Sequence, residues 1–166
     1  MEKDETNSGF IIDANVLIDY CKTDLSILTI FSKVIGTINI PTPIIYDEVS
    51  QISITKAEKF FLNPIEPTLE QLIEAKTFKR SHFCDNLCFL IGQGNGYTCI
   101  TNDKHLKRLC KEHNVPSIWG LEIMVILVKK DKISQKKAIT VASAIRKSNS
   151  FITNEIIQRF KNKIRY

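Results

Sequence analysis

The sequence is poor in residues that break or bypass a globular core. Six glycines and five prolines in 166 residues exclude collagen-like and low-complexity architectures, and 43% apolar residues exclude wholesale disorder. No long hydrophobic run is present. The most apolar stretch, 121–128, contains Glu122 and falls far short of the roughly 20 residues that span a bilayer. It reads as a buried helix, and no membrane partner is expected. The opening Met1-Glu2-Lys3-Asp4-Glu5-Thr6-Asn7 is polar with no apolar stretch behind it, unlike a secretory signal. The five cysteines (Cys21, Cys84, Cys88, Cys99 and Cys110) are odd in number and contain no C-x-x-C pair. That pattern favours reduced thiols and a cytoplasmic location over a disulfide framework, with Cys84 and Cys88 read as core thiols. His82, His105 and His113 lack the spacing of a zinc enzyme, and no glycine-rich phosphate loop is visible.

A chain of this length is expected to form one domain over 1–166, and it can bury roughly 70% of its unfolded surface without a staple. Its charge is unevenly distributed. Residues 1–100 carry eight basic and thirteen acidic side chains, whereas 101–166 carry fifteen basic and five acidic. Such asymmetry can draw a polyanion toward one part while leaving acidic chemistry in the other; solvated amphipathic helices are the competing explanation.

Gly9-Phe10-Ile11-Ile12 reads as a short buried strand, followed by a helix opening near Asn15. Ile38-Asn39-Ile40 reads as a second strand before Pro41 and Pro43. The apolar spacing of Ile44, Ile45, Val49 and Ile52 predicts a helix carrying Glu48, with a further helical segment over 56–62. Pro64-Ile65-Glu66-Pro67 reads as an extended link. Thr68-x-x-Gln71 has capping-box spacing, and Ser81 is placed to cap the next helix. Tyr97-Thr98-Cys99-Ile100 is a strand, followed by a basic helix over 104–112. Pro116 makes 115–118 an edge strand. Helices are expected over 121–129, 135–147 and 154–163. The pattern fits a three-layer α/β/α sandwich with a mainly parallel central sheet. The apolar faces at 25–34 and 69–73 read as core.

Four acids stand where that fold would build a site. Asp13 ends the first strand, and ligands commonly bind at the carboxyl edge of open α/β sheets. Asp103 repeats the arrangement after Ile100, with Thr101 and Asn102 able to orient it by hydrogen bonds. Asp85 lies early in a helix, and Glu48 sits in an apolar pattern. Helix capping is the competing role for Asp13 and Asp103. Converging carboxylates would repel and raise at least one pKa, which a hard divalent ion such as Mg²⁺ relieves. Such an ion can activate water and stabilise charge on a phosphodiester.

The landmarks Ile11-Ile12-Asp13-Ala14-Asn15-Val16-Leu17-Ile18, Glu48-Val49, Ser81-x-x-x-Asp85 and Thr101-Asn102-Asp103-Lys104-x-Leu106 give the chain a form that resembles the PIN-domain ribonucleases. The resemblance implies a PIN-like sandwich with a Mg²⁺- or Mn²⁺-dependent RNA-cleaving centre made of Asp13, Glu48, Asp85 and Asp103, supported by Asn15 and Thr101. Water would attack in line, leaving a 3′-hydroxyl and a 5′-phosphate. VapC-like toxins, one branch of the family, imply a small antitoxin partner and a homodimer. Two departures stand out: Gly92 where a small alanine often packs, and an additional helical portion over 134–163 that is similar to an uncharacterised PIN-like branch.

Lys104, Lys107, Arg108 and Lys111 share one broad helix face directly after the acidic edge, suited to holding an RNA backbone without reading bases. Tyr20, Tyr97 and Trp119 read as packing or loop-supporting aromatics rather than stacking platforms. The expected function is a metal-dependent endoribonuclease. Its alternative is a noncatalytic PIN-like RNA-binding or protein-interaction module.

Overall fold

The first strand is made of three apolar residues that a sheet interior accommodates. In the computed structural model, which describes residues 9–78 and 81–165, β1 (Phe10–Ile12) is buried along its whole length. A strand buried on both faces belongs in the middle of a sheet, and β1 occupies that place. From it the chain runs through α1 (Ala14–Lys22) and α2 (Ser26–Val34) to β2 (Ile38–Pro41). Next come α3 (Thr42–Asp47), α4 (Ile54–Lys59), β3 (Asn63–Ile65), α5 (Leu69–Thr77) and α6 (Phe83–Asn95). The remainder is β4 (Thr98–Ile100), α7 (Lys104–Glu112), β5 (Ser117–Ile118), α8 (Glu122–Lys129), α9 (Gln135–Ser148) and α10 (Asn154–Arg165). The polar segment 1–7 lies outside the described residues.

The five strands pair in the order β3-β2-β1-β4-β5, all parallel. Parallel neighbours need long crossovers, which the intervening helices supply. The result is an α/β/α sandwich compatible with a PIN-like fold. Successive strands leave β1 first toward β3 and then, from β4, toward β5. The change of direction opens a crevice beyond the carboxyl ends of β1 and β4, where a doubly wound sheet offers its ligand site.

Several local expectations need correction. The 64–67 segment is not merely a link, because Asn63–Ile65 pairs with β2. Pro64 tolerates this role because β3 is an edge strand, where a missing N–H removes no ladder bond. The helix after Pro41 ends at Asp47: the Glu48 and Val49 N–H groups both donate to Ile44 O, at 3.1 and 3.0 Å. Glu48 is therefore an exposed C-cap, not a residue within an apolar face. Ser81 does not cap α6, whose N-cap is His82; its hydroxyl instead donates to Asn86 Oδ1. Thr68 and Gln71 do form the capping box of α5. However, Leu69 and Ile73 on that helix are exposed, whereas Ile27, Leu28 and Phe31 of α2 are in the core.

The helix rich in apolar residues is buried as its composition requires, through Ile123, Met124, Val125, Leu127 and Val128 of α8. The 134–163 portion forms α9 and α10. Helix α9 packs on α1 and α8, and α10 packs on α8 and α9. Among the described residues no helix is long and apolar enough to cross a membrane. All five cysteines are free, four of them buried.

Candidate functional site

Asp13 comes directly after β1 and is almost completely buried, at 2% exposure. Its backbone N–H donates to Ile100 O at 3.1 Å, which fixes the end of β1 against β4. Its side chain is the N-cap of α1, where Oδ1 accepts from Val16 N–H at 3.0 Å. The other oxygen accepts from the Thr101 hydroxyl. Thr101 follows β4 and also accepts from Asp103 N–H at 3.0 Å, so one buried hydroxyl joins both strand-end acids. Asp103 in turn caps α7 by accepting from Leu106 N–H at 2.9 Å. The capping roles of Asp13 and Asp103 are thus real, and both acids remain at the crevice.

Asp85 lies in the first turn of α6. Burial pushes the Asp13 carboxyl up to about 7, against the opposing hydrogen bonds from Thr101 and Val16, with Asp85 and Asp103 adding repulsion. Burial likewise raises Asp85 to about 6, reinforced by Asp103 and Glu48 and opposed by His82 and His105. The buried Cys84 thiol is also pushed up, first by burial and then by its contact with Glu48. These mutual influences place Asp13, Asp85 and Asp103 within electrostatic reach of one another, with Glu48 at the Cys84–Asp85 side. Asn15 is exposed on α1.

The donor chemistry suits a hard cation, because every proposed ligand is a carboxylate oxygen. Among the described residues no three His, Cys, Asp or Glu side chains are grouped so as to hold a metal ion. Both Asp13 oxygens and one Asp103 oxygen already accept hydrogen bonds within the fold. In this arrangement Asp13 and Asp103 form a hydrogen-bonded edge, beside which the Asp13 and Asp85 carboxyls are held above their ordinary range.

Beside that edge lies a shallow concavity of about 560 Å³ between α7 and the β5 segment. It is lined by Lys104, Lys107, Arg108, Lys111, Val115, Ser117 and Trp119. All four cations expected on one helix face therefore border it. Burial pushes the Lys107 ammonium below its ordinary value, and Lys107 Nζ lies 4.3 Å from the centre of the Trp119 ring. Trp119 is the element that sequence reasoning set aside. Its position at the end of an edge strand was readable, but whether a neighbouring helix would cover its ring was not. Tyr20 is a packing residue, fully buried with its hydroxyl donating to Gly120 O at 2.7 Å. Tyr97 is partly buried against the core, over Gly9.

No protein-family model, curated protein or solved structure matches the chain.

Proposed function

We propose that the protein is a PIN-like RNA-binding module that grips the phosphate backbone along the basic face of α7. The observation that carries this reading is the concavity bordered by Lys104, Lys107, Arg108 and Lys111. Clustered cations on a concave surface concentrate phosphate and release its counterions, giving affinity without base reading. The acids at the neighbouring sheet edge then limit how the strand can lie, because phosphate is repelled from them. The test is RNA affinity measured over a range of salt concentrations by fluorescence anisotropy. Binding should weaken steeply with salt, and each cation neutralised on α7 should reduce the log–log slope by about 0.7. Unchanged affinity in a Lys104→Gln, Arg108→Gln, Lys111→Gln triple variant would remove this reading.

A second reading is a metal-dependent endoribonuclease, including the toxin of a toxin–antitoxin pair. One observation favours it: Asp13 and Asp85 are raised by burial and by neighbouring carboxylates, a repulsion that Mg²⁺ or Mn²⁺ would relieve. It assigns the ion to the carboxylates of Asp13, Glu48, Asp85 and Asp103. Calorimetric titration with Mg²⁺ and Mn²⁺, followed by an RNA cleavage assay on the native chain and Asp13→Ala, separates it from the first reading. Metal-dependent turnover lost in Asp13→Ala would establish it; RNA binding without turnover would leave the module. Coexpression with the neighbouring open reading frame, followed by light scattering, would reveal a small antitoxin or a homodimer.

A further inference from the structure

The four cations explain attraction to phosphate but leave the aromatic floor of the concavity unused. Trp119 sits between Ile118, which ends β5, and Gly120, and the backbone around it is held at several points. Trp119 N–H donates to Glu122 Oε2 at 3.3 Å, and Gly120 N–H donates to Asn102 Oδ1 at 2.9 Å. Gly120 O accepts from the buried Tyr20 hydroxyl. The indole therefore rises from an anchored turn whose partners include the residue next to Asp103. Its ring lines the concavity and is only partly buried.

The contact on that ring is exchangeable. Lys107 stands over the indole, but a cation–π contact at a partly exposed site is weak, and the ammonium loses hydration there. A phosphate entering beside Lys104 and Arg108 offers Lys107 a stronger partner. Moving the ammonium to that phosphate frees the ring face for a flat, apolar group. Lys104 to Lys111 spans two helical turns, about 10 Å, so phosphates and one unstacked base fit along the groove. A base-paired duplex would keep its base faces stacked inside and could not present one to the indole.

We propose that the groove between α7 and β5 is a subsite for single-stranded nucleic acid, in which Trp119 stacks a base while Lys104, Lys107, Arg108 and Lys111 hold the flanking phosphates. The assignment rests on the RNA-binding reading and adds to it a strand state and a base-contacting residue. Charge complementarity selects this occupant: no acidic side chain is among the described residues lining the concavity. An aromatic platform bordered by cations is the combination by which proteins hold single strands without strong sequence preference.

Trp119 is the sole tryptophan of the chain, so its emission reports the subsite directly. The full-length protein is titrated with a short oligoadenylate, the same strand paired with oligouridylate, inorganic polyphosphate and a polyglutamate peptide. The expected result is saturable quenching by oligoadenylate, with little quenching by polyphosphate at saturation and weaker binding of the duplex. Trp119→Ala should cost oligoadenylate about 10-fold more affinity than it costs polyphosphate, and Trp119→Phe should recover most of that difference. Binding of oligoadenylate without quenching would overturn the subsite while leaving RNA binding by α7 intact. Equal or tighter duplex binding would overturn the single-strand assignment. Tighter binding of polyglutamate than of either nucleic acid would replace it with an acidic protein segment. If neither nucleic acid binds at all, the RNA-binding reading itself fails. Quenching is read in the native chain, so the outcome does not depend on how well a variant folds.

Discussion

Asp13 meets opposing demands that a surface carboxylate would not. It caps α1 and receives the Thr101 hydroxyl, yet burial and the nearby Asp85 and Asp103 push its carboxyl from 3.8 up to about 7. The folded state thus holds the Asp13 proton more tightly than the unfolded chain does. Stability from this group is fullest below about pH 4 and declines as the pH rises through about 7, where the carboxyl must ionise while buried. Asp85, raised to about 6, acts in the same direction. Asparagine at position 13 would keep a capping oxygen and remove the charge. Urea denaturation of Asp13→Asn should therefore show a gain on the order of 2–4 kcal/mol near pH 8, shrinking toward zero near pH 4. A variant no more stable than the native chain near pH 8 would show that the carboxylate is not under this strain.

Between elements, α6 approaches β4 closely at Gly92. A Cβ built on Gly92 would lie 2.9 Å from Cys99 Sγ, so only glycine lets the helix sit at this distance from the strand. Gly92→Ala gains about 1 kcal/mol of helix propensity but overpacks a full core, a loss of roughly 1–3 kcal/mol. The net expectation is a lower urea midpoint, with Cys99→Ala in the same chain restoring part of it; additive losses would place the conflict elsewhere. This contact also gives a physical reason for glycine where the resemblance leads one to expect alanine. The strands carrying Asp13 and Asp103 were legible because a polar residue abruptly ends a short apolar run, and the basic face of α7 because its spacing is helical. β3 was not legible, since Pro64 forbids a central strand and only the edge position admits it. Glu48 was misplaced for a different reason: apolar spacing continues through Ile52, while the backbone turns at Ile44 O and ends the helix early. Trp119 depended on a contact between β5 and α7 that local pattern does not encode.

Over the whole molecule, the C-terminal helices join the same core as the sheet. Ala138, Val141, Ala142 and Ile145 of α9, with Ile157, Phe160 and Ile164 of α10, belong to the hydrophobic cluster that contains β1. Polar contacts fasten this region at Asn149–Asp19, Lys137–Asp24 and Lys163–Glu122, and the first of these is the most buried. Asn149 Nδ2 donates to both oxygens of Asp19 at 3.1 Å, and Asp19 is a buried residue of α1 whose carboxyl is pushed up by burial. The bridge from Lys137 to Asp24, at 2.6 Å, lies nearer solvent. Removing Asn149 would leave a buried carboxylate without its donor, whereas removing Lys137 would leave only the Asp24 carboxylate, which water can reach. Asn149→Ala should accordingly lower stability by about 1–3 kcal/mol and Lys137→Ala by less than about 1 kcal/mol. Because one apolar cluster links the two regions, both variants should unfold in a single transition with an unchanged urea m-value. A separate early transition in Asn149→Ala, seen by far-ultraviolet circular dichroism before the Trp119 emission changes, would show that α9 and α10 detach on their own. The groove beside Trp119 would then be held by the sheet and α7 without help from the C-terminal helices.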